Sequence, residues 1–270
     1  MEDDALVVQD FASAAGFEKR RPDAPPHFFE AEAAGLRWLA SAREADPGAA
    51  RVVRVRHVEP GRIVLEPLAP ARPSPEVART FGAALARTHA AGAPAFGSPP
   101  DGWDGPCFIG RQELETTPTK SWAAFYAEQR VLPYLRRAVD RGHVGADGAA
   151  VVERACGVLT SFEDADPPAR IHGDLWNGNV FWSSDGAVLI DPAAHGGHRE
   201  TDLAMLDLFG LPYLDEVFAG YLDVFALRDG WRERIPIHQL HPLAVHAASH
   251  GPAYAHALVD AARRTIALGR

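Results

Sequence analysis

Apolar residues return every three or four positions in "PPHFFEAEAAGLRWLASAREA" (25–45), where Phe29, Ala33, Leu36 and Ala40 mark one face of a helix. Two prolines stand at its start, the one end of a helix that tolerates them. The period then shortens. "RVVRVRHV" (51–58) and "RIVLEPL" (62–68) are rich in β-branched residues and are separated by "EPG", which predicts a hairpin. Helical spacing resumes in "SPEVARTFGAALARTHAAG" (74–92), with Ser74 as N-cap, Pro75 at the first helical position and Gly92 closing it.

From Ala93 to about Pro118, Gly and Pro interrupt every period, most densely in "GSPPDGWDGP", and a loop is expected. "SWAAFYAEQRVLPYLRRAVDRG" then aligns Trp122, Phe125, Tyr126, Gln129, Leu132 and Leu135 on one helical face. "DGAAVVERACGVLTSF" is a further helix, with Asp147 as its cap. "NVFWSSDGAVLID" places two apolar runs around the turn "SSDG", a second hairpin. Everything after Glu200 reads as helical. The order is therefore α+β, with a small β-containing N-terminal lobe (1–66) and a mainly helical C-terminal lobe (67–270). The seam falls near "LEPLAPA" (65–71), where strand gives way to Pro and Ala.

At 270 residues, 47% hydrophobic and 23% charged, the chain can bury a real core, and long disorder is not expected. A net charge of −9 argues against nucleic acid, which would want a basic face, though a local pocket could still take an anionic small molecule. Cys107 and Cys156 fit no metal or disulfide spacing. The start "MEDDALVVQDF" is acidic where a signal peptide would be basic, and no run is long enough to span a membrane. A cytoplasmic protein, monomeric and without nucleic-acid or membrane partners, is expected.

The chemistry gathers in "RIHGDLWNGNVFW" (170–182). Asp174 and Asn179 flank "LWNG", and Asp191 ends the second strand of the hairpin that follows. A hairpin returns the chain near its start, so Asp191 can approach Asn179. The resulting oxygen ligands suit Mg²⁺. The layout H-x-D-x-x-x-x-N with a second Asp beyond a hairpin is the catalytic-loop pattern of kinases. Asp174 would accept the proton of a substrate hydroxyl, while Asn179 and Asp191 would hold the metal that bridges the ATP phosphates. A solvated turn accounts for each residue singly but not for their joint spacing. His172 reads as architectural. The C-terminal histidines, including His246 and His250 one helical turn apart, read as surface or packing residues rather than a metal site.

"IHGDLWNGNVFW", "VLIDPAAHGGHRETDLAM" and "HFFEAEAAGLRWL" resemble the fructosamine (ketosamine) 3-kinase family, which belongs to the aminoglycoside-phosphotransferase and protein-kinase-like superfamily. The similarity covers the chain from about Phe17 onward. It implies a bilobal protein-kinase-like fold and transfer of the ATP γ-phosphate to a sugar hydroxyl, the 3-OH, of a ketosamine such as ribulosamine or fructosamine. It implies Asp174 as the catalytic residue and Asn179 and Asp191 as metal ligands. The phosphate-binding lysine matches Lys19 in "GFEKRR" and its partner matches Glu32. Only Lys19 and Lys120 are lysines among 27 basic residues; a solvated surface lysine is the competing reading of Lys19. Backbone groups of Glu66, Pro67 and Leu68 would bind adenine. Trp176 is either core filler or a stacking wall for the substrate, and His246 aligns with a position near the sugar pocket. His198 and Glu200 would brace the metal loop.

The family's Gly-containing phosphate loop has only "FASAAG" to match it, and 18 residues precede Lys19, so an abbreviated N-terminal lobe is expected. Two other functions stay open. One is a kinase for another hydroxylated amine, aminoglycoside- or choline-like; the other is a pseudokinase that only binds.

Overall fold

Alternation along Phe17–Arg20 (β2) turns Phe17 and Lys19 inward and leaves Glu18 and Arg20 nearer solvent, as the two-residue period of a strand requires. The computed structural model describes residues 7–8, 17–159, 162 and 166–269. Four antiparallel strands form the N-terminal sheet in the order β1-β2-β5-β4: Val7–Val8 (β1), β2, Val55–Glu59 (β4) and Arg62–Leu65 (β5). Lys19 stands opposite Ile63 of β5. Phe28–Ala45 (α1) packs on this sheet through Phe29, Ala33 and Leu36, as its apolar spacing predicts. The sequence "FASAAG" proposed as the phosphate loop lies outside the described residues.

The run 51–58 is not one strand. Arg51–Val52 (β3) pairs in parallel with Gly186–Leu189 (β10) of the other lobe, and the Val53 amide donates to the Leu189 carbonyl at 2.9–3.0 Å spacing typical of a ladder, here 3.0 Å. Val52 and Val53 are both buried, yet neighbours on a strand face opposite ways. The chain leaves this sheet after Val53 and enters the N-terminal sheet at Val55, and the break in strand geometry lets both be buried. The hairpin predicted around "EPG" is formed by β4 and β5 alone, with Gly61 at φ 75° in its turn.

In the larger lobe, Ala169–Ile171 (β8) pairs with His195–Gly197 (β11), and Val180–Ser183 (β9) with β10. Residues 172–179 therefore connect β8 to β9, and residues 190–194 connect β10 to β11. These two connections lie side by side on the inter-lobe cleft. Pro75–Ala90 (α2) and Arg199–Phe209 (α6) pack against these strands; Leu214–Val224 (α7) packs on α2, Trp231–His250 (α8) on α6, and Ala253–Leu268 (α9) on α8. No helix among the described residues is long and apolar enough to cross a membrane.

Three local expectations change. The Gly/Pro-rich stretch contains a hairpin, Cys107–Ile109 (β6) with Gln112–Leu114 (β7), whose strands are too short to show a period. The segment from Trp122 is not one α-helix. Trp122–Phe125 (α3) runs into a π turn at Tyr126–Val131 before Leu132–Asp140 (α4). Pro133 has no amide hydrogen to give to the Gln129 carbonyl, and the chain accommodates it with the wider turn. The inward face shifts, so that Arg130 and Val131 are buried where Leu132 was expected. For Ala146–Val158 (α5) the N-cap is Gly145; Asp147 sits in the first turn, where its charge still favours the helix N-terminus.

Ser74 caps α2 as expected, its Oγ accepting from the Val77 amide at 3.3 Å. Helices α2 and α7 then cross through glycine. A Cβ at Gly82 would stand 1.9 Å from the Val217 carbonyl oxygen, and one at Gly220 would stand 1.9 Å from that of Arg79. Backbone cannot yield as a side-chain tip can. Gly82→Ala is expected to destabilise the protein by about 2–3 kcal/mol or more, the range for overpacking a close contact. Chemical denaturation will show it as a lower midpoint, and an unchanged midpoint would refute the crossing.

Candidate active site

Lys19 is the buried cation at the centre of the cleft. Its Nζ lies 2.7 Å from Glu32 Oε1 on α1 and also donates to Asp191 Oδ1. Burial opposes the ammonium charge, but the two carboxylates outweigh it and hold Lys19 above the ordinary lysine range. The surface-lysine reading is thereby ruled out: the side chain is 4% exposed.

Asn179 closes the connection 172–179. Its Nδ2 donates to the Asp174 carbonyl at 2.7 Å and to Asp174 Oδ2 at 3.1 Å. With the amide nitrogen spent on Asp174, the Asn179 side chain still has its carbonyl oxygen to offer a cation. Carboxylates of Asp174 and Asp191 stand beside it on the same cleft of about 330 Å³, so the donor set is all oxygen and fits Mg²⁺. Burial pushes the Asp174 carboxyl up to about 7, the Asn179 hydrogen bond opposes this, and the charges of Asp191 and Asp202 add to it.

Histidine 172 is architectural, as expected. Its Nε2 donates to the Ile190 carbonyl at 2.8 Å, while its Nδ1 accepts from the Asp174 amide at 3.3 Å. The residue that sequence reasoning missed is Asp202. Its carboxylate accepts from the amides of His172 (2.7 Å) and Gly173 (2.9 Å), and His89 Nε2 meets it at 3.1 Å. Asp202 thus ties the catalytic loop to α6 and α2. Burial would raise it, but these donors keep it below the ordinary carboxylate range. The available signal was a carboxylate amid the otherwise apolar run "TDLAML", which a helix buries only when it is fully hydrogen-bonded.

His198 and Glu200 are structural, as expected, and the contacts of Glu200 run to α8. Both Glu200 oxygens accept from Arg234 of α8, at 3.0 and 2.6 Å. Burial opposes its charge, but His238 and Arg234 hold Glu200 at about 2. His198, Glu200 and His238 gather ligand atoms within 4.8 Å of one another. The Arg234 fork takes up the carboxylate, and the cluster joins α6 to α8.

Trp176 is 42% exposed at the cleft mouth, folded across Gly178, where a Cβ would stand 2.4 Å from its ring. It is not core filler. Its edge meets Phe209, whose ring lies 4.6 Å from His246, which in turn stacks on His250 at 5.1 Å. Ring contacts thus link His246 to Trp176 through Phe209. Glu66, Pro67 and Leu68 do not line the same cavity as Lys19. The Glu66 carboxylate accepts from the Arg54 amide at 3.2 Å and pairs with Arg51 at 3.5 Å, and Leu68 is buried in the core.

A lysine held by a helix glutamate between a small sheet and a helical lobe, facing an Asp/Asn/Asp oxygen cluster on two adjacent loops, defines a protein-kinase-like phosphotransferase. Residues 4–267 match the model of the fructosamine kinase family, and the chain belongs to that family. A probable ketoamine kinase of Enterococcus faecium is 32% identical over 252 residues, 89% of this chain and 83% of its own. A "putative fructosamine-3-kinase" of Thermobifida fusca, solved by crystallography, superposes with a TM-score of 0.85 at 49% identity, over 93% of this chain and 85% of its own. A Haemophilus somnus structure at 22% identity and TM-score 0.77 shares the fold, over 93% and 83% of the two chains. The enzyme is a phosphotransferase acting on a hydroxyl, and a kinase of this family uses ATP.

Proposed function

We propose that the enzyme transfers the γ-phosphoryl group of ATP to the 3-hydroxyl of a ketosamine such as ribulosamine or fructosamine, in repair of glycated amines. The observation that carries this reading is the convergence of Asp174, Asn179, Asp191 and the Lys19–Glu32 pair on one cleft, with Trp176 open at its mouth. The names of the relatives supply the acceptor class. Phosphoryl transfer asks for positioning and charge stabilisation more than for covalent chemistry, and these residues supply both.

In this reading Asp174 orients the sugar hydroxyl and takes its proton. Asn179 and Asp191 would hold Mg²⁺, which supplies neutralisation of phosphate charge. Lys19, held by Glu32, reaches the α- and β-phosphates. Adenine would lie beyond the cavity that Lys19 lines, against backbone groups of Glu66, Pro67 and Leu68 at the seam between lobe 1–66 and lobe 67–270; the Glu66 amide already donates to the Arg54 carbonyl, which leaves its own carbonyl to accept. The sugar would stack on Trp176, with His246 contributing through Phe209. A 3-phosphorylated ketosamine is unstable and would release the free amine.

Mg²⁺-dependent ADP release with ribulose-, erythrulose- and fructose-amine substrates tests the reading, with phosphorus NMR locating the new ester. Turnover that needs a ketosamine supports it; release with choline or an aminoglycoside alone would move the acceptor to another hydroxylated amine. No release with any substrate would leave a binding protein. Trp176→Ala should raise KM for the ketosamine by about tenfold, roughly 1.4 kcal/mol of lost stacking, with KM for ATP unchanged. Trp176→Phe should recover most of it. Equal effects on both substrates would remove Trp176 from the sugar site.

A further inference from the structure

Asp191 has φ 54°, a left-handed conformation that residues other than glycine hold only where the surroundings over-determine it. Two buried histidines grip the backbone on either side. Upstream, His172 holds the Ile190 carbonyl. Downstream, His195 Nδ1 donates to the Ala193 carbonyl at 2.7 Å. A carbonyl only accepts, so the proton of His195 is on Nδ1 and its Nε2 is an acceptor. That acceptor takes the Nε–H of Arg130 at 3.2 Å. Burial, then the Arg130 charge, keep His195 well below the usual imidazole range and hence neutral.

Arg130 is 1% exposed, and among the described residues no carboxylate hydrogen-bonds it. Its Nη1 donates to the carbonyls of Glu115 (2.7 Å) and Gln129 (3.2 Å), and its guanidinium lies 4.5 Å over the Phe125 ring. The Gln129 carbonyl is the one that Pro133 cannot serve, so the π turn both aims Arg130 inward and leaves it an acceptor. Nη2 is buried and has no hydrogen-bond partner among the described residues. A guanidinium so placed costs folding stability, and an apolar side chain would fill the space better. Packing therefore does not account for it. Through His195 it reaches the Ala193 carbonyl, in the connection 190–194 that carries Asp191. The catalytic loop rests on the same unit, since a Cβ at Gly173 would stand 2.3 Å from the Ala193 oxygen.

We infer that Arg130 and His195 are positioning residues: acting through the Ala193 carbonyl, they hold Asp191 in the left-handed conformation that presents its carboxylate to the cleft. This rests on the reading of Asp191 as a metal ligand. The test uses full-length enzyme, with Mn²⁺ and a non-hydrolysable ATP analogue as probes followed by electron paramagnetic resonance, beside steady-state kinetics with ATP. Arg130→Met and His195→Ala should each weaken Mn²⁺ binding and lower kcat by about tenfold, the scale of losing a partner that orients a ligand. KM for the sugar acceptor should not move. His195→Asn, whose amide can still donate to Ala193, should recover most of the loss.

Arg130→Met removes a buried charge that no carboxylate pairs but also takes a donor from the Glu115 and Gln129 carbonyls, so its melting temperature should change little beside the loss of Mn²⁺ affinity. Metal binding loosened out of proportion to any loss of stability is an outcome that a merely structural arginine would not produce. Unchanged Mn²⁺ affinity in folded Arg130→Met, or losses that track melting temperature across the variants, would overturn the inference. Asp191→Asn separates the two levels. Should it keep full Mn²⁺ affinity, the metal-ligand reading of Asp191 fails and the inference falls with it.

Discussion

Asp174→Asn should lower kcat by about 10³-fold, within the range ascribed to a general base, and should raise the melting temperature at pH 8. The first effect follows from removing the proton acceptor while keeping its shape; Asn179 Nδ2, 3.1 Å from Oδ2, can still donate to an amide oxygen. The second follows from linkage. Asp174 titrates near 7 in the folded protein, raised first by burial and then by the charges of Asp191 and Asp202, and near 3.9 unfolded. The folded state therefore binds this proton more tightly than the unfolded state. Stability from that preference is fully present below about pH 4 and is lost as pH rises through about 7. Asparagine resembles the protonated acid, so the variant should match the parent at pH 4 to 5 and exceed it at pH 8. Thermal melts of the ligand-free proteins across this range check it; a variant less stable at pH 8 would refute the sign. The same shift puts the acid limb of kcat/KM near or below pH 7, lower when a bound cation favours the carboxylate.

Lys19→Met should be costlier to the fold than any other cleft substitution. Removing one partner from a buried ion pair leaves the other charge uncompensated, typically at about 3–5 kcal/mol. Here it leaves both Glu32, 12% exposed, and Asp191 without their cation. Urea unfolding should show the loss at neutral pH, and KM for ATP should rise sharply. The double variant Lys19→Met/Glu32→Met should regain most of the stability, because no buried Glu32 charge remains, while staying inactive toward ATP. If Lys19→Met alone unfolds at the parental midpoint, the pair is not the buried unit described. If the double variant retains ATP affinity, Lys19 has no part in holding phosphate.

Residues of the reacting cluster were legible for a local reason. Asp174 and Asn179 share one short loop, and a hairpin must bring Asp191 back beside it. Lys19 and Glu32 were reached by resemblance instead, since four residues of strand carry little period. Other features left no local trace. Strand β3 belongs to a sheet whose other strands lie over 120 residues later. Hairpin β6–β7 is three residues a side within a Gly- and Pro-rich stretch. The π turn shifts an inward face that spacing alone assigns to Leu132.

What the sequence determined by itself is the grouping of Asp174, Asn179 and Asp191 and the run of most helices, because hydrophobic period, caps and turn residues act within a few positions. What only the tertiary structure decided is how that centre is held. Asp202 anchors amides 30 and 29 residues away, and Arg130 meets His195 across 65. In the sequence they are a helix acid, a helix arginine and a histidine between predicted elements. Burial gives them their roles, because a polar group removed from water must find partners, and the fold alone sets which ones are within reach.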